Sequence, residues 1–207
     1  MRKTLCTVVL SSGVGVIPSL QQLTTIPERI ARGENPVYLS LTRETVDPSL
    51  ADIVAASSLI VEGTVAPLRT YLSGDKQWVY TDYSISPTFV IFQQKRQTRS
   101  TPGQEPLILK VGGGKLTVDG VEVVAVDENL QAWKPDAHVI LFLTESRTDP
   151  GKYELVFEVS GGFDLTTGKI RPLLKGDWML KDIRGISKGD FMKRIYQTLD
   201  SRGFASE

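Results

Sequence analysis

Residues 109–126 read LKVGGGKLTVDGVEVVAV, and this stretch decides the fold class. A phosphate-binding P-loop requires a glycine five residues before its Gly-Lys pair and a Ser or Thr directly after the lysine. Leu109 and Leu116 stand at those two positions, and no helical pattern follows. Asp119-Gly120, in contrast, is a dipeptide typical of a tight β-hairpin. The triple glycine therefore predicts a corner between two strands, and we do not expect it to bind nucleotide.

Strand-like patterns flank this stretch. SSLIVEGTVAPL (57–68) predicts a strand, and Gly63 in its interior predicts a bulge or a tight bend. VYTDYSISPTFVIFQ (79–93) alternates with a period of two, although Pro87 predicts an edge or a bulge at that point. The alternation assigns Tyr83, Ile85, Phe89 and Ile91 to one face of this strand, and Asp82, Ser84, Ser86 and Thr88 to the other.

The β pattern continues towards the C-terminus. A buried strand is predicted at 139–143, a bend at Gly161-Gly162 and a hairpin turn at Thr167-Gly168. These short strands with glycine corners favour a small, partly open β-barrel.

Two stretches predict helices. DPSLADIVAASS (47–58) is a short one, with Pro48 suited to its first turn. SKGDFMKRIYQTLDSRG (187–203) is longer and amphipathic. The apolar residues Phe191, Ile195 and Leu199 recur four apart in it. Ser187 is a candidate N-cap with Asp190 three residues after it, and Gly203 is expected to end the helix.

Together these patterns predict a mainly β protein: an OB-like barrel with a short N-terminal helix and a C-terminal amphipathic helix. The expected organisation is a signal segment at 1–20, a linker at 21–50, the barrel domain at 51–175 and a C-terminal helical segment packed on the barrel at 176–207. The stretch PVYLSLT (36–42) is a candidate short strand within the linker.

The N-terminus favours export. Its positive start, MRK, precedes a mildly apolar run, TLCTVVLSSGVGVI, that is too short and polar to span a membrane. We therefore expect an extracytoplasmic protein, periplasmic or secreted, with no transmembrane helix in the mature chain. The alternative is that the run forms a buried N-terminal strand of the fold.

The composition restricts the chemistry. The 24 basic and 24 acidic side chains balance, so no cationic excess favours nucleic acid. Cys6 and His138 are the chain's single cysteine and single histidine, which excludes a Cys/His zinc site within one chain. We expect His138 to be a strand residue at the surface or the core edge, and we expect no cofactor and no metal.

Four segments together resemble, in this order, an uncharacterised bacterial extracytoplasmic β-domain: LADIVAASSLIVEGTVA (50–66), VYTDYSI (79–85), PLILKVGGGKLTVDGVEVV (106–124) and WKPDAHVILFL (133–143). That domain is similar in layout to the OB-like barrel of netrin and tissue-inhibitor-of-metalloprotease domains. The resemblance covers about residues 51–175 and implies a small barrel without catalytic residues. The cysteines of netrin-type domains are absent, so their inhibitory mechanism, which places a cysteine on a catalytic metal, is not implied.

Aromatic residues form the candidate ligand site. Tyr71, Trp78 and Tyr80 cluster in TYLSGDKQWVYTDY (70–83), where they could stack on a ligand or cap the open end of the barrel. Trp133 and Trp178 are expected to pack against the barrel and the C-terminal helix.

Acidic residues are the other candidates. Asp82 and Glu122 could serve a hydrolase only if two such acids face each other, and surface positions are the simpler interpretation. Two further loops contain acids: one has Asp127 and Glu128 beside Asn129, and the other has Asp164. Neither loop has the residue spacing of a calcium-binding loop, so we expect solvated turns.

The resulting expectation is a non-catalytic binding or scaffolding module whose partner is an unknown protein or an envelope polymer. A carboxylate-dependent hydrolase of a cell-envelope polymer is one alternative. A purely structural domain that docks through its C-terminal helix is another, and a large exposed apolar face on that helix would favour it.

Overall fold

A computed structural model describes residues 24–42, 47–94, 106–131, 133–175, 180 and 182–203. The predicted signal segment, Cys6, Trp178 and most of the polar loop after residue 93 lie outside these ranges. The helices are α1 (Ile26–Ala31), α2 (Leu50–Ala56) and α3 (Lys188–Ser201). The strands are β1 (Val37–Leu41), β2 (Leu59–Leu72), β3 (Val79–Gln93), β4 (Leu107–Gly112), β5 (Gly114–Val118), β6 (Val121–Asp127), β7 (Ala137–Glu145), β8 (Lys152–Leu155), β9 (Gly162–Asp164) and β10 (Arg171–Pro172).

Five strands close a mixed barrel. They are hydrogen-bonded in the order β7-β2-β3-β4-β8, and a further pairing of β7 with β8 completes the circle. β2 and β8 both run antiparallel to β7, whereas β8 runs parallel to β4. The predicted mainly β fold with a small barrel, a short N-terminal helix and a C-terminal helix is therefore confirmed, and the barrel is closed rather than partly open.

The glycine stretch forms a corner, as predicted. β4 ends at Gly112 and β5 begins at Gly114, and Asp119-Gly120 makes the turn of the β5–β6 hairpin with positive φ angles of 48° and 79°. Gly114 has a φ of 137°, and a Cβ there would lie 2.3 Å from Thr81 Oγ1. Only glycine can therefore occupy this corner without displacing its neighbours.

The chain divides into two compact units. Unit 1 comprises the described residues of Met1–Glu44 with Arg69–Thr81 and Val111–Glu128, and unit 2 comprises those of Thr45–Leu68, Asp82–Lys110 and Asn129–Glu207. β2, β3 and β4 each contribute residues to both units.

Unit 1 gives structure to part of the stretch expected to be a linker. Thr25 caps α1 in a capping box with Glu28, and β1 pairs in parallel with β6. Ile26, Val37 and Val123 are buried in one apolar cluster. A six-residue helix has too few turns to show a periodic apolar pattern, which is why this helix was not predicted from the sequence.

α3 forms largely as predicted. Ser187 is its N-cap, and Gly203 follows its C-cap with a φ of 74°. The predicted apolar face of Phe191, Ile195 and Leu199 is buried in the main cluster of unit 2. Within the described ranges, no helix has both the length and the apolar character needed to cross a membrane.

α2 belongs to the same cluster of unit 2, through the buried Ile53 and Val54. It begins at Leu50, two residues after Pro48, because Ser49 is the N-cap and Pro48 precedes it, so the prediction that Pro48 lies in the first turn was wrong. The Ser49 hydroxyl and amide both bond Asp52, and these hydrogen bonds hold the pKa of that carboxyl below its usual value.

Burial along β3 does not follow the two predicted faces. Ile85 and Asp82 are both buried, whereas Phe89 is 51% exposed. The strand approaches β2 closely near its middle, since a Cβ on Gly63 would lie 2.4 Å from the Ser86 carbonyl oxygen and 3.0 Å from Pro87 Cα. The alternation predicts which residues share a face of β3 but not which face is buried, and the expectation that the structure contradicts is the surface position of Asp82.

Later turns agree with the sequence. Gly168 donates its N–H to the Leu165 carbonyl at 2.8 Å in the turn that joins β9 to β10. At Gly161 the chain passes close to β7, because a Cβ there would lie 2.5 Å from the Phe142 carbonyl oxygen. The turn predicted at Gly168 and the bend predicted at Gly161 are therefore both present.

Candidate functional site

An aromatic strip lies on the β2–β3 hairpin of unit 1. We define it as Arg69, Tyr71 and Tyr80. The rings of Tyr71 and Tyr80 lie 6.2 Å apart between centroids and are tilted by 35°, while the Arg69 guanidinium carbon lies 5.3 Å from the centre of the Tyr71 ring. Arg69 and Tyr71 are two residues apart on β2 and so share a face. Arg69 is exposed and both tyrosines are half-buried, which leaves part of each ring accessible to a ligand.

The loop beside the strip is held by its own hydrogen bonds. Ser73 and Trp78 close it, since Ser73 N–H donates to the Trp78 carbonyl at 2.8 Å and Trp78 N–H donates to the Ser73 hydroxyl at 2.9 Å. The Ser73 hydroxyl donates to Asp75, which also accepts the Gln77 N–H, and these bonds hold the pKa of Asp75 below its usual value. The loop is therefore shaped before any ligand arrives, which reduces the ordering cost of binding.

Trp78 supports the hairpin rather than joining the strip. Its side chain is half-buried and packs on the apolar cluster of unit 1 that contains Ile26 and Val79. Its indole Nε1 is buried and has no hydrogen-bond acceptor among the residues that the structure describes. Of the three predicted site residues, the structure thus brings Tyr71 and Tyr80 together and gives Trp78 a packing role.

The acids singled out for hydrolysis have separate partners. Asp82 has a side chain that is only 1% exposed, and both its oxygens accept from Lys152 Nζ, at 3.0 and 2.9 Å. The Glu122 side chain is 43% exposed and pairs with Lys115 at 2.5 Å. The expectation that Asp82 is a surface residue was wrong, because the sequence does not show that a lysine from a distant strand neutralises it.

A second buried carboxylate, which the sequence did not reveal, lies in unit 2. Glu62 Oε1 accepts from His138 Nε2 at 2.7 Å and from Lys188 Nζ at 2.6 Å. The His138 side chain is 41% exposed, so the predicted position at the core edge is confirmed. This cluster joins β2, β7 and the start of α3. An acid inside the apolar run LIVEGTV was the only sign of it in the sequence.

The loop acids are engaged in local structure. Glu128 accepts from the Ser40 and Thr42 hydroxyls, and Asp164 accepts the Thr166 N–H at 2.7 Å in an Asx turn. Asp127 is buried, so the expectation that it lies in a solvated turn was wrong. Over the described ranges, no group of three or more acidic, histidine or cysteine side chains could hold a metal ion.

Two tyrosines of unit 2 are set apart by burial. Burial raises the pKa of Tyr83, whose ring meets Trp133 edge-on at 4.7 Å between centroids. Burial also raises the pKa of Tyr153, with a further contribution from the Glu145 carboxylate. Both phenols therefore stay neutral beyond the pH at which an exposed tyrosine ionises.

Fold and site together define the class of protein: a small five-stranded mixed β-barrel that carries an aromatic strip on one hairpin. Compared with known proteins, the chain matches no family model, no curated protein and no solved structure.

Proposed function

We propose that this chain is a non-catalytic, extracytoplasmic binding module that holds an envelope polymer against its aromatic strip. The observation that carries the proposal is the grouping of Tyr71, Tyr80 and the Arg69 guanidinium on one hairpin. Partly exposed aromatic rings beside a cation offer flat apolar area and a polar contact at once, and such groups are common where proteins bind ligands.

The geometry of the acids favours binding over hydrolysis. A glycosidase needs two carboxyl groups that flank the bond to be cleaved. Asp82 is buried and bonded through both oxygens to Lys152, so it has no open face for a polymer. Glu122, paired with Lys115 at the surface, is in a setting typical of strand-face ion pairs.

The burial of α3 argues against the alternative of a docking domain. Phe191, Ile195 and Leu199 pack in the core of unit 2 rather than facing outwards. A helix whose apolar face is already covered has little left to offer a partner.

Co-sedimentation with purified peptidoglycan sacculi tests the proposal. We expect the full chain to pellet with sacculi, and Tyr71→Ala and Tyr80→Ala each to weaken retention at least about five-fold, since one aromatic stacking contact contributes roughly 1–3 kcal/mol. Tyr196→Ala is the matched control, because Tyr196 is an exposed tyrosine on α3, far along the chain from the strip. Retention that is absent, or that is the same in all four proteins, would refute the proposal.

The extracytoplasmic location has its own test. N-terminal sequencing of the protein from fractionated cells should find a chain shortened near residue 20 in the periplasm or medium. Recovery of an intact chain beginning at Met1 from the cytosol would contradict the proposed location and, with it, the choice of an envelope polymer.

A further inference from the structure

A pocket of about 710 Å³ opens in unit 2 between the start of α2 and the last turns of α3. Leu50, Leu180 and Ile183 provide an apolar part of its lining, and Leu180 and Ile183 are buried in the core. Its volume lies within the range of small-molecule sites in proteins. The pocket belongs to a different unit from the aromatic strip, so it represents a separate candidate site.

The polar lining carries two carboxylates and one guanidinium. Asp47 uses Oδ1 to accept the Leu180 N–H at 3.0 Å, and Arg194 Nη1 donates to the backbone carbonyl of Asp182 at 2.7 Å. Neither bond engages the Asp182 carboxylate or the second oxygen of Asp47. Among the described residues these two acids form no ion pair, and two carboxylates against the one guanidinium of Arg194 give the lining a net negative charge.

The end of α3 adds to this negative potential. Thr198 and Ser201 belong to its last turn and line the pocket, and that turn contains no basic side chain. The C-terminal end of a helix carries a partial negative charge that favours cations. Arg202 follows the helix as its C-cap, and its positive charge contributes to the lowered pKa of the Asp52 carboxyl.

We propose that this pocket binds a small amphipathic amine, with the ammonium group beside Asp182 and Asp47 and an aromatic or aliphatic body on Leu50, Leu180 and Ile183. The apolar lining supplies burial for the body of the ligand, and the uneven charge of the rim selects a cation over a neutral or anionic analogue.

Three indole compounds of similar size test the charge preference: tryptamine, tryptophol and indole-3-propionate. Each is titrated into the ¹⁵N-labelled full chain and followed by amide chemical shifts. We expect saturable shifts at Ala51, Leu180 and Thr198 with a Kd for tryptamine in the roughly millimolar range. Tryptamine should bind up to about five-fold more tightly than tryptophol, because Asp47 and Asp182 are exposed and this is the upper end of what one exposed ion pair supplies; indole-3-propionate should bind most weakly.

Variants locate the selectivity. Asp182→Asn should remove the preference for tryptamine over tryptophol, and Asp47→Asn, which keeps an acceptor for the Leu180 N–H, should reduce it. Asp200→Asn is the matched control, because it removes the same charge from an exposed position on α3 that does not line the pocket. Equal binding of the three compounds, no saturable shifts, shifts that lie elsewhere in the chain, or equal effects of Asp200→Asn and Asp182→Asn would each overturn the proposal.

Discussion

The buried pair of Asp82 and Lys152 gives the sharpest test of how this barrel is held together. Lys152 Nζ bonds both oxygens of Asp82, and the two side chains are 17% and 1% exposed. Removing one member of a buried ion pair costs about 3–5 kcal/mol, because the other charge is left without compensation. Since Lys152 keeps some contact with solvent, we expect about 3 kcal/mol from either Asp82→Asn or Lys152→Met.

The double variant separates the interaction between Asp82 and Lys152 from the contacts that each makes with other residues. If the interaction between the two side chains dominates, Asp82→Asn/Lys152→Met should cost about as much as either single change, which gives a coupling free energy near 3 kcal/mol. Urea unfolding at pH 7, followed by far-UV circular dichroism, measures these free energies. The exposed pair of Lys115 and Glu122 is the matched control, and Lys115→Met should cost less than about 1 kcal/mol.

Two results would refute this reasoning. An Asp82→Asn protein as stable as wild type would show that the carboxylate does not support the fold. Additive single effects would show that Asp82 and Lys152 act through other neighbours. A stable Asp82→Asn protein that had also lost an activity on envelope polymer would restore the hydrolase interpretation.

Three further predictions concern packing and ionisation. Phe191→Ala should lower the free energy of unfolding by about 3–5 kcal/mol, because the ring is fully buried; a loss below about 1 kcal/mol in urea unfolding would contradict its core position. Gly114→Ala should cost at least about 2 kcal/mol more than Gly120→Ala, since both glycines have positive φ but only Gly114 would bring a Cβ against Thr81; equal costs in the same assay would exclude the clash. The raised pKa of the Tyr153 phenol means that the folded state holds this proton longer than the unfolded state, so its contribution to stability is complete below pH 10 and is lost as the pH rises through the folded pKa. Thermal unfolding from pH 9 to 11.5 should therefore show a shallower loss of stability for Tyr153→Phe than for wild type, and parallel curves would contradict it.

Elements with local determinants could be predicted from the sequence. α3 is specified within its own residues, by Ser187 as cap and by Phe191, Ile195 and Leu199 on one face. The β5–β6 hairpin is specified by Asp119-Gly120 alone, because a two-residue turn with two positive φ angles admits few other dipeptides.

Elements that depend on distant residues could not. The surface position expected for Asp82 is wrong because a period of two says which residues share a face but not which face is buried. Its partner Lys152 is 70 residues away in the chain. Glu62 is satisfied by His138 at a separation of 76 residues and by Lys188 at 126, so neither contact has a local signature.

The two candidate binding sites also differ in how far apart their residues lie in the sequence. The aromatic strip comes from one hairpin, so the sequence alone placed Tyr71 and Tyr80 together, and only Trp78 needed the structure to show its packing role. The pocket of unit 2 is lined by residues from 47–51 and from 180–201, and no sequence motif in either segment predicts it. A ligand that entered this pocket would bridge α2 and the end of α3 and stabilise their packing by mass action. Tryptamine at a fixed high concentration should therefore raise the thermal midpoint of the wild-type protein and raise it less in Asp182→Asn, whereas a polymer fragment bound at the strip should act equally on both proteins.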